Sequence, residues 1–141
     1  MIPVAAIRAI GALNTWVYRV SGGRLMSRLP TGAPVFLLTT TGRKSGQPRT
    51  VPLLYLADGD DFLVVASQGG APQHPSWFLN LEANPRAEIE LGRKRIPVAA
   101  RRLDEEERAQ VWPRFVAIYP PYKEYQRRTA RRIPVVRLSP V

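Results

Sequence analysis

At 141 residues, 45% of them hydrophobic, the chain is long enough for one compact domain with its own core, and no apolar run reaches the roughly 18 residues of a membrane-spanning helix. It has no cysteine and one histidine, His74, which removes disulfides, thiolate metal centres and cysteine nucleophiles and leaves a zinc site or a Ser-His-Asp triad resting on one residue. The 21 lysines and arginines against 11 acids give a net charge of +10, which suits an anionic partner: a phosphate or carboxylate ligand, nucleic acid or an anionic membrane surface.

Over residues 3–20, Ile7, Ile10, Leu13, Val17 and Val20 recur at near-helical spacing, which predicts an amphipathic helix that Gly22-Gly23 ends. This stretch carries Arg8 inside its apolar part and lacks a small-x-small cleavage site, so it does not read as a secretion signal. From Pro34 the texture becomes short β-type runs at 34–40, 49–57, 61–67, 86–91 and 95–103, with Asp58-Gly59 and Gly92-Arg93 as hairpin turns, a pattern that predicts an antiparallel meander. Between the third and fourth runs, Pro75 opens and Pro85 stops a short helix at 75–83 that should cross one end of the sheet. Asp104 with Glu107 predicts a capped helix running to about Tyr119, with Val111, Trp112, Phe115 and Val116 facing inward, and residues 133–138 supply a sixth strand. The expected fold is mainly β with peripheral helices (α+β), a small barrel with external helices, organised as an N-terminal helix and connector over 1–30 and a barrel domain over 31–141.

One connection stands out. Thr39 to Arg49, "TTTGRKSGQPR", places two glycines, a proline and three cations between two apolar runs, and no acid occurs before Asp58. It matches neither a G-x-G-x-x-G fingerprint nor a Walker loop. A turn with glycine at both ends can present backbone N–H groups to an anion while Arg43, Lys44 and Arg49 add side-chain charge. The simpler reading is a hairpin turn whose cations keep a sheet edge soluble.

The stretches "LLTTTGRKSGQPRTVPLLYL", "VVASQGGAPQHPSWFLNLEANP" and "YPPYKEYQRRT…IPVVRL" resemble, in order, the signatures of the deazaflavin-dependent nitroreductase family, the split-barrel reductases of mycobacteria and related actinobacteria that use reduced coenzyme F420. The resemblance runs from about Pro34 to Val141 and implies an FMN-binding-like split β-barrel. It implies that Arg43, Lys44, Ser45 and Arg49, with Thr50, Val51, Pro52, Leu53 and Leu54, hold the coenzyme's phosphate and polyglutamate tail. It implies that Val65, Ala66, Ser67 and Gln68 lie along the deazaflavin ring and that Ser76, Trp77, Phe78, Leu79 and Asn80 close the other side. Gln68 departs from the family, where lysine is common at that place, and a weaker hold on the tail is the expected consequence.

Tyr119, Tyr122 and Tyr125 recur every third residue, so on a helix their rings would share one side. Taken alone this is an aromatic core stripe. The resemblance instead implies that Tyr119 and Tyr125 line the acceptor pocket, and that Tyr122, also against the coenzyme, is the catalytic or acceptor-orienting residue, with Ser67 polarising the same acceptor. The implied activity is hydride transfer from reduced F420 to a quinone, an enone or a nitroaromatic or nitroimidazole compound, with no metal. An FMN-dependent split-barrel oxidoreductase and a non-catalytic F420 carrier are the alternatives. A nucleic-acid-binding barrel is set aside because strands 34–40 and 61–67 offer only Phe36 and Phe62 for stacking.

His74 reads as a polar loop residue, Trp77 and Trp112 as core anchors, and Arg127, Arg128, Arg131 and Arg132 as a solvated helix face, with attraction to the coenzyme tail or anionic lipid as the other reading. The N-terminal segment, with four cations and no acid through residue 30, allows peripheral contact with a membrane surface. The expected state is a cytoplasmic monomer, touching the inner face of the membrane through that segment.

Overall fold

The computed structural model describes Thr15, Tyr18, Arg19 and residues 33–141. The amphipathic helix expected over 3–20 lies outside the described residues apart from those three, which are helical. Seven strands follow: β1 (Val35–Thr41), β2 (Pro48–Leu54), β3 (Leu56–Asp58), β4 (Asp61–Val65), β5 (Arg86–Leu91), β6 (Lys94–Arg102) and β7 (Val135–Pro140). A 3₁₀ turn occupies Gln68–Gly70, and three helices, α1 (Ser76–Ala83), α2 (Glu105–Ile118) and α3 (Pro121–Arg128), lie between strands.

All pairings are antiparallel, and the sheet order is β2-β1-β5-β6-β7-β4-β3. The hairpins are the expected ones, but the simple meander is not: β1 pairs with β5 and β4 with β7, because α1 carries the chain from one part of the sheet to the other. The single run expected at 49–57 is two strands broken at Tyr55. Since β2 and β3 stand at opposite ends of the sheet and only Tyr55 joins them, the sheet has to curl into a half-barrel to bring its edges together. Tyr55 donates its N–H to Pro34 O at 3.1 Å instead of to the β1 ladder, and its ring stacks on Phe36 at 4.5 Å and meets Phe62 edge-on at 5.7 Å.

The period-2 alternation of the strands fills two cores. Phe36, Leu38, Val64, Ala66, Val136 and Leu138 face the barrel interior, where Trp77, Phe78 and Leu81 of α1 join them. Leu63, Val65 and Val135 face the other side and pack under Val111 and Phe115 of α2 and Tyr122 of α3. Burying each such side chain is worth roughly 1.5–3 kcal/mol, so the sheet is stabilised from both faces. The predicted capping box is present: Glu107 N donates to Asp104 Oδ1 at 2.8 Å and Asp104 N to Glu107 Oε1 at 3.1 Å. At the other end of the molecule Tyr18 donates to Glu90 O at 3.1 Å, and Arg19 forks onto the buried Glu90 carboxylate at 3.1 and 3.2 Å while reaching Thr50 Oγ1 at 3.2 Å.

Candidate functional site

The cationic turn joins β1 to β2 and is closed by Gly42 N donating to Gln47 O and Gly46 N to Gly42 O, both at 2.8 Å. Gly46 has a φ of +71°, and a Cβ on Gly42 would stand 2.7 Å from Ser45 Oγ and 3.1 Å from Gln47 O, so the turn favours glycine at both positions. Ser45 Oγ accepts from Gln47 N at 3.1 Å and from Arg49 Nη2 at 3.3 Å. Arg43 is fastened from both ends: its N–H and its Nη1 donate to Asn80 Oδ1 at 3.1 and 3.0 Å. Asn80 is 3% exposed, and its Nδ2 in turn donates to Thr40 Oγ1 at 3.0 Å. The turn and α1, expected as parts of one site, are thus held together by a buried carboxamide. Arg43, Lys44 and Arg49 are all exposed, and among the described residues no carboxylate pairs with them.

Along β2, Thr50 shares a 2.7 Å hydrogen bond with Thr39, Val51 and Leu53 lean on the barrel core, Pro52 pairs with Leu37, and Leu54 is buried in the second core. Proline is tolerated there because β2 is an edge strand. On α1, Ser76 is exposed and Leu79 half-buried, whereas Trp77, as its anchor reading expected, and Phe78 are buried barrel-core side chains.

The second part of the site follows β4. Val65 and Ala66 are buried, Ser67 and Gln68 half-buried, and the backbone then turns sharply through positive φ at Gln68 (+45°), Gly69 (+62°) and Gly70 (+78°). Gly70 lies directly on α3: a Cβ there would come 2.6 Å from Tyr125 O. Arg131 holds this loop from behind, donating to Ala71 O at 2.9 Å, Ala66 O at 3.1 Å and Ser67 O at 2.6 Å, with Nη1 also 3.1 Å from His74 Nδ1. The expected solvated helix face is therefore corrected. α3 stops at Arg128, Arg131 turns inward onto the loop's carbonyls, Arg132 pairs with Glu105, and Arg128 sits over the Tyr125 ring at 5.7 Å. Burial and the charges of Arg131 and Arg102 push the His74 imidazole below its usual value, so it stays neutral with Nδ1 free to accept from Arg131.

The three tyrosines do meet, though across a break. Tyr119 caps α2, Pro120-Pro121 redirects the chain, and Tyr122 and Tyr125 lie on α3. Tyr122 is 6% exposed in the second core, with its ring 4.9 Å from Tyr119, 5.9 Å from Phe115, 6.1 Å from Tyr125 and 6.2 Å from Trp112. The hydroxyls of the half-buried Tyr119 and Tyr125 are 3.1 Å apart. Burial, then the bond to Tyr125, pushes the Tyr119 phenol up to about 12, and burial pushes Tyr122 up further. α3 is tied to α2 by the buried Arg108, which donates to Gln126 Oε1 at 2.9 Å and Ile133 O at 2.8 Å with its guanidinium 4.2 Å from the Trp112 ring. Sequence reasoning missed Arg108 and the inward role of Arg131, because an arginine gripping carbonyls leaves no local pattern.

Two surface cavities lie elsewhere. One of about 420 Å³ at the start of α2 is lined by arginines that Glu105 and Glu107 largely neutralise, and one of about 200 Å³ lies between α1 and β6–β7. Of the assigned residues only Phe78 borders either. The cationic turn is an open surface, which suits an extended ligand of phosphate and carboxylates better than a closed pocket does.

The family of F420H(2)-dependent quinone reductases matches residues 11–140. An F420H(2)-dependent quinone reductase of Mycobacterium tuberculosis strain H37Rv is 44% identical over 130 residues, covering 90% of this chain and 87% of its own. The solved structure of an F420-H2 dependent reductase, FDR-A, is 47% identical and superposes with a TM-score of 0.69 over 75% of this chain and 94% of its own. A solved domain-swapped dimer, 39% identical, superposes with a TM-score of 0.71 over 90% of this chain and 96% of its own. With the split-barrel fold, the cationic turn and these likenesses together, the chain belongs to the F420H(2)-dependent quinone reductase family.

Proposed function

We propose that this F420H2-dependent reductase passes a hydride to a quinone, with enones and nitroaromatic or nitroimidazole compounds as further acceptors of the same flat, electron-poor kind. The observation that carries the reading is the turn at Arg43, Lys44 and Arg49: three cations without acids among the described residues, held in shape by Gly42, Gly46 and the buried Asn80. A coenzyme bearing phosphate and carboxylates suits that donor set, since guanidinium forks and an ammonium pair with both groups. Arg43, Lys44, Ser45 and Arg49 would hold the tail, with Thr50 to Leu54 beside it. The backbone of Val65 to Gln68 would seat the ring, and the first turns of α1, Ser76 to Asn80, would close over it. When bound, the reduced deazaflavin supplies the hydride.

The residues of this chain supply placement and hydrogen bonds. The phenols of Tyr122 and Tyr119 stay protonated across the physiological range, so they act as donors to an acceptor oxygen that gains negative charge. Ser67 Oγ, on the loop that Arg131 holds, is a second donor. The domain-swapped dimer among the solved structures argues against the monomer expected from sequence, and sedimentation of the purified protein is expected to show a dimer. Among the described residues no helix is long and apolar enough to cross a membrane.

Steady-state oxidation of F420H2 in the presence of menadione tests the reading. Turnover with menadione supports it; coenzyme binding without turnover points to a carrier, and activity with FMN alone points to the flavin-dependent alternative.

A further inference from the structure

We infer that Arg131 is a positioning residue for the coenzyme's ring, an inference that rests on the reading of Val65 to Gln68 as the ring's seat. One guanidinium takes three main-chain carbonyls, Ala66 at 3.1 Å, Ser67 at 2.6 Å and Ala71 at 2.9 Å, from a loop more than 60 residues earlier in the chain than Arg131 for two of them. A planar trans peptide points its C=O and N–H in opposite directions. With the carbonyls of Ala66 and Ser67 turned onto Arg131, the N–H groups of Ser67 and Gln68, which belong to the same two peptide units, are turned away from it. Among the described residues neither N–H has a hydrogen-bond partner, while the next amides along the chain that do pair, Gly70 and Ala71, close the turn onto Ser67 O and Gln68 O. Ser67 in the right-handed helical region (φ −79°, ψ −42°) followed by Gln68 at φ +45° is the backbone sequence that makes successive N–H groups converge. The cation on the carbonyl side also polarises both peptides and strengthens their N–H groups as donors. Arg131 thereby prepares two adjacent donors for the carbonyl edge of a flat ring, and Gly70, packed against Tyr125 O, fixes that edge relative to the tyrosine helix.

The fork is what matters. Lysine at 131 keeps the charge but, as a point donor, cannot span three carbonyls in a plane.

Two ligands separate ring from tail: coenzyme F420 itself, and a deazaflavin lacking the phosphate and carboxylates, each titrated by fluorescence against the full chain. Arg131→Ala is expected to weaken both by the same factor, on the order of tenfold or more, with Arg131→Lys restoring only part; Arg43→Ala is expected to weaken the coenzyme alone. Arg131→Ala that binds the tail-less ring as the unsubstituted protein does overturns the inference. Should Arg131→Ala fail to fold, the unsubstituted protein still decides: on adding the tail-less ring, the backbone amide resonances of Ser67 and Gln68 are expected to shift most, and bound ring with those amides unmoved overturns it. Failure of the unsubstituted protein to bind either ligand is a different result, one that overturns the coenzyme reading before any substitution at Arg131 is made.

Discussion

Asn80 gives one carboxamide oxygen to both the main-chain N–H and the guanidinium of Arg43, and its Nδ2 goes to Thr40 Oγ1, so a single buried side chain fixes the cationic turn to the start of the sheet. Asn80→Ala removes the Oδ1 acceptor of the Arg43 N–H and guanidinium and the Nδ2 donor to Thr40 Oγ1. The expected cost is about 1–3 kcal/mol in urea unfolding, with coenzyme affinity falling by about tenfold as Arg43 loses its anchor. Unchanged affinity in a folded Asn80→Ala protein would separate the turn's shape from its binding.

Tyr122→Phe keeps the ring that fills the second core and removes only the hydroxyl. Turnover with menadione is expected to fall by about a hundredfold, while the affinity for oxidised coenzyme changes little. Equal turnover in the two proteins would remove Tyr122 from the acceptor chemistry and leave it as a packing residue.

The raised phenols also set an alkaline limit. The folded protein holds these protons more tightly than the unfolded chain, whose phenols titrate near about 10. The contribution of Tyr119 to stability is therefore complete below that value and is lost as pH rises through about 12. Urea midpoints measured at about pH 9 and about pH 11 are expected to fall between the two, and Tyr119→Phe should flatten the fall.

Much of the fold was legible because its punctuation is local. Asp58-Gly59 and Gly92 mark their hairpins, with Gly59 at φ +62° and Gly92 at φ +64°, and Asp104 with Glu107 announces α2. The break at Tyr55 was not legible, since "TVPLLYLAD" reads as one continuous run; it arises only when the two end strands must be joined by one residue, which is a property of the curled sheet as a whole. The order of strands was hidden for the same reason. At the site, the clustered cations of the turn were readable from spacing and the absence of nearby acids. Arg131 was not, because among Arg127, Arg128, Arg131 and Arg132 nothing in the sequence tells which side chain turns inward to distant carbonyls.

Glu107 gives the acid counterpart. Its carboxylate is held down to about 2, first by the fork of Arg101 at 2.8 and 2.9 Å and then by Asp104 N. A depressed carboxyl contributes stability that is present above its ordinary value and disappears as pH falls through about 2. A Glu107→Gln variant is expected to lose the acid-sensitive part of the α2 helical signal in circular dichroism, and to show a flatter profile below about pH 4.

Gly70→Ala places a methyl 2.6 Å from Tyr125 O at a φ of +78°. Both the contact and the backbone conformation oppose it, and a loss of at least about 1 kcal/mol in unfolding free energy is expected. Since Gly70 joins the loop to the tyrosine helix, the variant should also lower kcat with menadione. A variant as stable and as active as the unsubstituted protein would show that the loop and α3 move independently.

The central claim is that Arg43, Lys44 and Arg49 recognise the anionic tail of a deazaflavin coenzyme. It is tested most directly by fluorescence titration with F420 and with FMN at low and at high salt, for the unsubstituted protein and for the triple variant Arg43→Ala, Lys44→Ala, Arg49→Ala. The account predicts tight F420 binding that weakens steeply with salt, little FMN binding, and a triple variant with both low affinity and a shallow salt dependence. F420 binding that is indifferent to salt and to the three substitutions, or FMN bound in preference, would contradict it.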